Sequence, residues 1–141
     1  MAEALARRAL AERGWSHVQV SSAGVAGYGG SPPSEGAVRA AQAGGLDLSD
    51  HRSRALDDGQ VEEADLSLTM SPGPLPPLLA RGAGDRAAVI TAFAAQEDPT
   101  GLPESVPDPF GGPDRVYRET FELLERLVDR VLRRLEPTIS P

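Results

Sequence analysis

Ala87-Ala-Val-Ile-Thr-Ala-Phe93 is the stretch whose reading decides the fold. It is almost continuously apolar, as a strand reads when both faces of its sheet are covered, and such strands belong to parallel sheets with helices on either side. Upstream, Ala64-Asp-Leu-Ser-Leu-Thr-Met70 reads as a second strand, and His17-Val-Gln-Val-Ser-Ser22 as a third, with Val18 and Val20 alternating with polar neighbours. Helical patterns lie between them. Met1 to Arg13 is dense in helix formers, places Leu5, Ala9 and Leu10 at helical spacing, and stops at Gly14, a residue suited to end a helix. Ser34 is placed to cap a helix reaching Ala43, with Ala37, Val38 and Ala41 inward and Gly44-Gly45 ending it. Strands alternating with helices predict an α/β three-layer sandwich around a central parallel sheet, in one domain spanning residues 1–141.

The remaining segments are connectors, with one exception. Ala23 to Pro33 is a loop rich in Gly and Pro, and Asp57-Asp58 opens a short helical turn ending near Glu63. Prolines at 72, 74, 76 and 77 place the start of any helix after Pro76 or Pro77. Gln96 to Pro113 is a long polar loop of the kind that more often carries function than not. The exception is the final helix, where Tyr117, Phe121, Leu124, Val128, Val131, Leu132 and Leu135 form one apolar stripe opposite Glu and Arg.

Composition removes several function classes. The formal charge is −7, and all 14 basic residues are arginines scattered along the chain, which argues against nucleic acid and against an anionic membrane. No apolar stretch reaches the ~18 residues of a membrane span, and a cytoplasmic location is the default expectation. With Cys 0, thiolate metal sites, disulfides and cysteine nucleophiles are absent from these 141 residues. His17 and His51 lie too far apart in sequence to suggest a metal site, so neither a metal nor a cofactor is expected. Chemistry is concentrated at Pro107-Asp-Pro-Phe-Gly-Gly112, where Pro109 fixes the backbone after Asp108 and Phe110 offers an aromatic face. A carboxylate so held could act as a general acid; equally, Asp-Pro-Phe-Gly is good turn chemistry with an anchoring aromatic, and composition alone favours the turn.

Five blocks, taken together, carry a resemblance. Met1-Ala-Glu-Ala-Leu5, Ser22-Ala-Gly24, Leu48-Ser-Asp-His-Arg-Ser-Arg54, Ala64 to Met70, and Asp108-Pro-Phe-Gly-Gly112 occur in the order and spacing of the low-molecular-weight protein-tyrosine phosphatases. The resemblance covers nearly the whole chain. It implies a sheet of strand order 2-1-3-4, in which a first strand and a Cys-x-x-x-x-x-Arg-Ser-Pro phosphate-binding loop lead into the helix that opens here at Met1. The chain thus resembles an N-terminally truncated member of the family, lacking that strand and loop. By the same resemblance Asp108 is the general acid and base, Phe110 and Tyr28 wall the substrate ring, and Ser22 and His51 support the phosphate-binding loop. On its residues alone His51 reads as a surface or helix-start histidine. Glycine at 111, where many relatives carry a second aromatic, implies a more open pocket edge.

The implied activity is hydrolysis of a phosphorylated protein or a small phosphate ester through a cysteinyl-phosphate, by a monomer. The features from Asp108 to Glu125 resemble most the bacterial branch that includes protein-arginine phosphatases, so phosphotyrosine and phosphoarginine are both open. Without a nucleophile the 141 residues are expected to be inactive. The alternative is a pseudophosphatase, a binding module on the same scaffold; an arsenate reductase, which needs several cysteines, ranks last. The missing strand would lie between His17–Ser22 and Ala64–Met70, leaving a gap of about 10 Å. The chain is therefore expected either to be unstable alone or to pair Val18 and Val20 directly with Leu66 and Leu68.

Overall fold

The computed structural model describes residues 1–25 and 29–139. In chain order it contains α1 (Ala2–Arg13), α2 (Glu35–Ala43), α3 (Asp58–Glu63), β1 (Ser67–Thr69), α4 (Leu75–Ala80), β2 (Ala87–Val89), α5 (Ile90–Ala95) and α6 (Asp114–Ile139), with one 3-10 turn at Gly84–Arg86. β1 and β2 pair in parallel, Ser67 opposite Ala87, Leu68 opposite Ala88 and Thr69 opposite Val89. Apolar clusters lie on both faces of this sheet. Leu68 and Met70 pack into the large core of α1, α2, α5 and α6, while Ala87 packs with Val61, Leu78 and Ala83 of the α3–α4 side. The architecture is therefore the expected layered α/β arrangement around a parallel sheet.

α6 organises the large core. α1, α2 and α5 all pack against it. Six of the seven residues of the predicted stripe are buried, and Leu135 is partly so. Thr120, Leu123 and Leu127 are buried as well, Leu127 completely, because three helices surround α6 and cover a wider arc than one facing partner would. α2 approaches closely enough that two glycines are needed: a Cβ on Gly36 would sit 2.4 Å from the Tyr117 ring, and one on Gly44 would sit 2.3 Å from that of Phe121. The expected inward face of α2 shifts accordingly. Ala41 is buried as read, but the other buried positions are Gly36 and Ala40, with Ala37 and Val38 only partly covered. Ser34 occupies the N-cap position without a side-chain cap bond, whereas Asp57 and Gln60 form a complete capping box on α3.

Four other readings are corrected. Residues 17–22 form no strand: Val18 and Val20 are half-buried against the large core, and neither pairs with Leu66 or Leu68. A strand requires a neighbouring ladder, and among the described residues none runs beside this segment. The Val20 carbonyl instead accepts from the Arg7 guanidinium at 2.7 Å, and an isolated bridge nearby joins Gly24 to Ala55. The strand read at Ala64–Met70 is confined to Ser67–Thr69. The run Ala87–Phe93 is a strand only to Val89; from Ile90 it is helix, burying Ile90, Thr91 and Ala94. A short apolar run does not distinguish a buried strand from a buried helix. α4 starts at Leu75, ahead of Pro76 and Pro77, since first-turn N–H groups have no intrahelical acceptor and proline fits there.

Candidate active site

The long loop 96–113 is anchored before it reaches Asp108. Thr91 donates its hydroxyl to the Glu104 carbonyl at 2.7 Å, Arg130 donates to the carbonyls of Asp98 and Thr100, and the Val106 N–H bonds Met70 O at 2.8 Å just beyond β1. Val106 itself is buried. The backbone is thus pinned two residues ahead of Asp108. Beyond it, Phe110 N–H donates to Asp108 Oδ1 at 3.0 Å, and Gly112 N–H closes a turn onto Pro109 O at 2.9 Å, with Gly111 at φ 80°. That positive φ suits glycine in a turn. Asp108 Oδ2 has no hydrogen-bond partner among the described residues.

Asp108, Phe110 and His51 line one shallow cleft of about 300 Å³, together with Met1, Ser34 and Tyr117. Phe110 is 79% exposed and so is not a buried anchor. The opposite wall is stitched by backbone bonds: Gly30 N–H to Ser53 O and Ser53 N–H to Ser31 O, both 2.7 Å. Between α2 and the start of α6, Arg39 forms a two-pronged bond with Asp114, at 2.9 and 2.8 Å. That hydrogen bond holds the Asp114 carboxyl below the usual carboxylate range. In the cleft wall, burial lowers the pKa of the Met1 α-amino group, against the opposing pull of Glu3.

Ser22 is not a lining residue of the cleft; its hydroxyl donates to Glu3 Oε1 at 3.0 Å. His51 Nδ1 lies 3.8 Å from Glu3 Oε2. The two residues expected to act as supports therefore meet at one carboxylate in the first turn of α1, a residue the sequence reading did not single out. An acidic residue at a helix start is too ordinary to be informative by itself. Tyr28 lies outside the described residues. A larger cleft of about 460 Å³ opens between α1 and residues 15–20, but no carboxylate or histidine lines it.

The cleft thus holds a carboxylate beside an exposed aromatic, at the N-terminal end of a twelve-residue helix whose dipole favours anions. The family model for low molecular weight phosphotyrosine protein phosphatase matches residues 1–139. The chain belongs to this family. The protein-arginine-phosphatase of Geobacillus stearothermophilus is 32% identical over 121 residues, covering 84% of this chain and 78% of that one. A probable low molecular weight protein-tyrosine-phosphatase, EpsP, of Ralstonia nicotianae is 28% identical over 92% of this chain and 81% of its own length. Among solved structures, the low molecular weight protein tyrosine phosphatase from T. tengcongensis superposes with a TM-score of 0.83 at 32% identity, covering 95% of this chain and 88% of that one. The YwlE arginine phosphatase from Geobacillus stearothermophilus gives 0.81 at 30% identity, covering 96% and 83%. Membership in the phosphatase family and its α/β fold thus agree with the architecture. Among the described residues no helix is long and apolar enough to cross a membrane.

Proposed function

We propose that these residues form the acid-bearing and supporting part of a cysteine-dependent protein phosphatase, in which Asp108 protonates the leaving-group oxygen and then deprotonates the water that hydrolyses the intermediate. The observation that carries this reading is the convergence of Asp108, Phe110 and His51 on one cleft at the start of α1. The nucleophile in this scheme is a thiolate in a Cys-x-x-x-x-x-Arg loop joined to α1. It attacks phosphorus, the P–O bond to the leaving group breaks as Asp108 delivers its proton, and water then cleaves the P–S bond. Because the 141 residues contain Cys 0, they do not by themselves carry out this reaction.

The substrate class is a phosphorylated protein, with phosphotyrosine as the first reading. Phosphoarginine is the second, supported by the 32% identity to a protein-arginine-phosphatase. Phe110 would stack on a planar phenyl or guanidinium group in either case. The test compares the 141-residue chain with a version carrying a first strand and the Cys-x-x-x-x-x-Arg loop ahead of Met1, using p-nitrophenyl phosphate and phosphotyrosine and phosphoarginine peptides. The 141 residues are expected to show no turnover above a mock preparation. The extended version is expected to be active and to lose about 100-fold in kcat on Asp108→Asn. Cysteine-free turnover would overturn the scheme, and a folded but inactive extended version would favour the pseudophosphatase reading.

A further inference from the structure

We infer that Glu3 is a positioning residue, the shared anchor that sets the places of Ser22 and His51 beside the cleft. The inference rests on the phosphatase reading only for what those two residues support; the anchor itself is geometric. Glu3 lies in the first turn of α1, where the helix dipole favours a carboxylate. Its two oxygens serve different segments. Oε1 accepts the Ser22 hydroxyl at 3.0 Å, and Oε2 faces His51 Nδ1 at 3.8 Å. Arg7, one turn further along α1, approaches Oε2 at 3.5 Å and donates to Val20 O at 2.7 Å, so the same cluster also fixes the backbone two residues before Ser22.

The burial pattern says which member is the pivot. The Glu3 side chain is 20% exposed, against 32% for His51 and 61% for Arg7. It is thus the more enclosed partner in both pairs, and in this setting its interactions are less screened than those of a surface ion pair. Segment 17–22 has no strand partner among the described residues, and the loop around His51 is held to its neighbours by backbone bonds such as His51 N–H to Leu48 O and Ser53 N–H to Ser31 O. Each therefore takes part of its placement from α1, and Glu3 is the α1 side chain that reaches both.

NMR of the 141-residue chain tests the anchor without requiring activity. Glu3→Gln keeps an oxygen for Ser22 but removes the charge facing His51 and Arg7, while Glu3→Ala removes both. The His51 ring resonances are expected to shift in both variants. The Ser22 amide is expected to shift in Glu3→Ala and to remain near its original position in Glu3→Gln, with the thermal midpoint of Glu3→Gln close to that of the parent. A generic structural role would lower the midpoint without this split between the two partners. Unchanged His51 and Ser22 signals in a folded Glu3→Ala chain would overturn the inference; if that variant does not fold, an unchanged His51 ring in Glu3→Gln would do so. In the extended, cysteine-bearing version, Glu3→Ala is expected to lower kcat/KM about tenfold. The NMR pattern without any activity would defeat the phosphatase reading and leave the anchor standing, while activity without the pattern would do the reverse.

Discussion

α6 and the three helices around it bury most of the apolar side chains of the large core, whereas of the six residues in β1 and β2 only Thr69 is buried. The contrast separates two tasks. The helical side supplies the free energy of folding, through side chains such as Leu127 at 0% exposure and rings of Tyr117 and Phe121 that close on glycines of α2. A two-stranded sheet with three residues per strand has little stability of its own. Its contribution is positional: the chain leaving β1 presents the Met70 carbonyl that fixes Val106, and with it the approach to Asp108. The cleft itself is lined by Met1, Ser34, Ala37 and Tyr117 of the helical side and by loop residues, so the sheet acts on it through the placement of Asp108.

The largest test of this division is Leu127→Ala. Emptying a fully buried leucine site among four helices is expected to cost about 3–5 kcal/mol in urea unfolding, while Leu68→Ala in the half-buried β1 should cost about 1 kcal/mol. Equal losses would break the comparison. Gly44→Ala comes next: its Cβ would meet Phe121 Cε1 at 2.3 Å, and the repacking should cost about 1–3 kcal/mol. The matching change on the sheet side, Gly73→Ala, meets nothing within 4 Å and should stay within about 0.5 kcal/mol.

Hydrogen exchange sharpens the comparison without mutation. Amides at the centre of α6 should exchange only through global opening, and those of β1 and β2 at least about tenfold faster through local opening. Uniform protection would show that the two sides unfold as one unit. The smallest expected effect is at the exposed Arg39–Asp114 pair. Hydrogen bonding to Arg39 holds the Asp114 carboxyl low, so its contribution is present above the unfolded value of about pH 4 and disappears as the pH falls through the lowered folded value. A small urea-midpoint difference between the parent and Asp114→Asn at pH 7 should therefore shrink and close as the solution is acidified below the unfolded carboxylate value. A difference that persists in acid would show that the effect is not electrostatic.

Much of the fold was legible where a local pattern is sufficient. The α6 stripe, the Gly14 stop, the Asp57 turn and the Asp-Pro loop each express a short-range rule, and Asp108, Phe110 and His51 do share a cleft. The readings that failed depended on neighbours. Val18 and Val20 alternate as a strand should, but alternation describes a face and does not supply a ladder. Ile90 to Ala95 continues an apolar run without marking where strand becomes helix, because either form can be buried.

By itself, then, the sequence determined the helices α1, α2, α3 and α6, that the sheet is parallel and covered on both faces, which family the blocks resemble, and that these 141 residues hold no thiol to act as nucleophile. Tertiary structure alone decided that Gly36 and Gly44 are contact surfaces for aromatic rings, that residues 17–22 lie outside the sheet, and that Ser22 and His51 meet at Glu3. The physical reason is range. Helix propensity, capping and turn chemistry act over about four residues and are written in consecutive letters. The approach of a ring to a glycine or of two loops to one carboxylate depends on how whole helices pack.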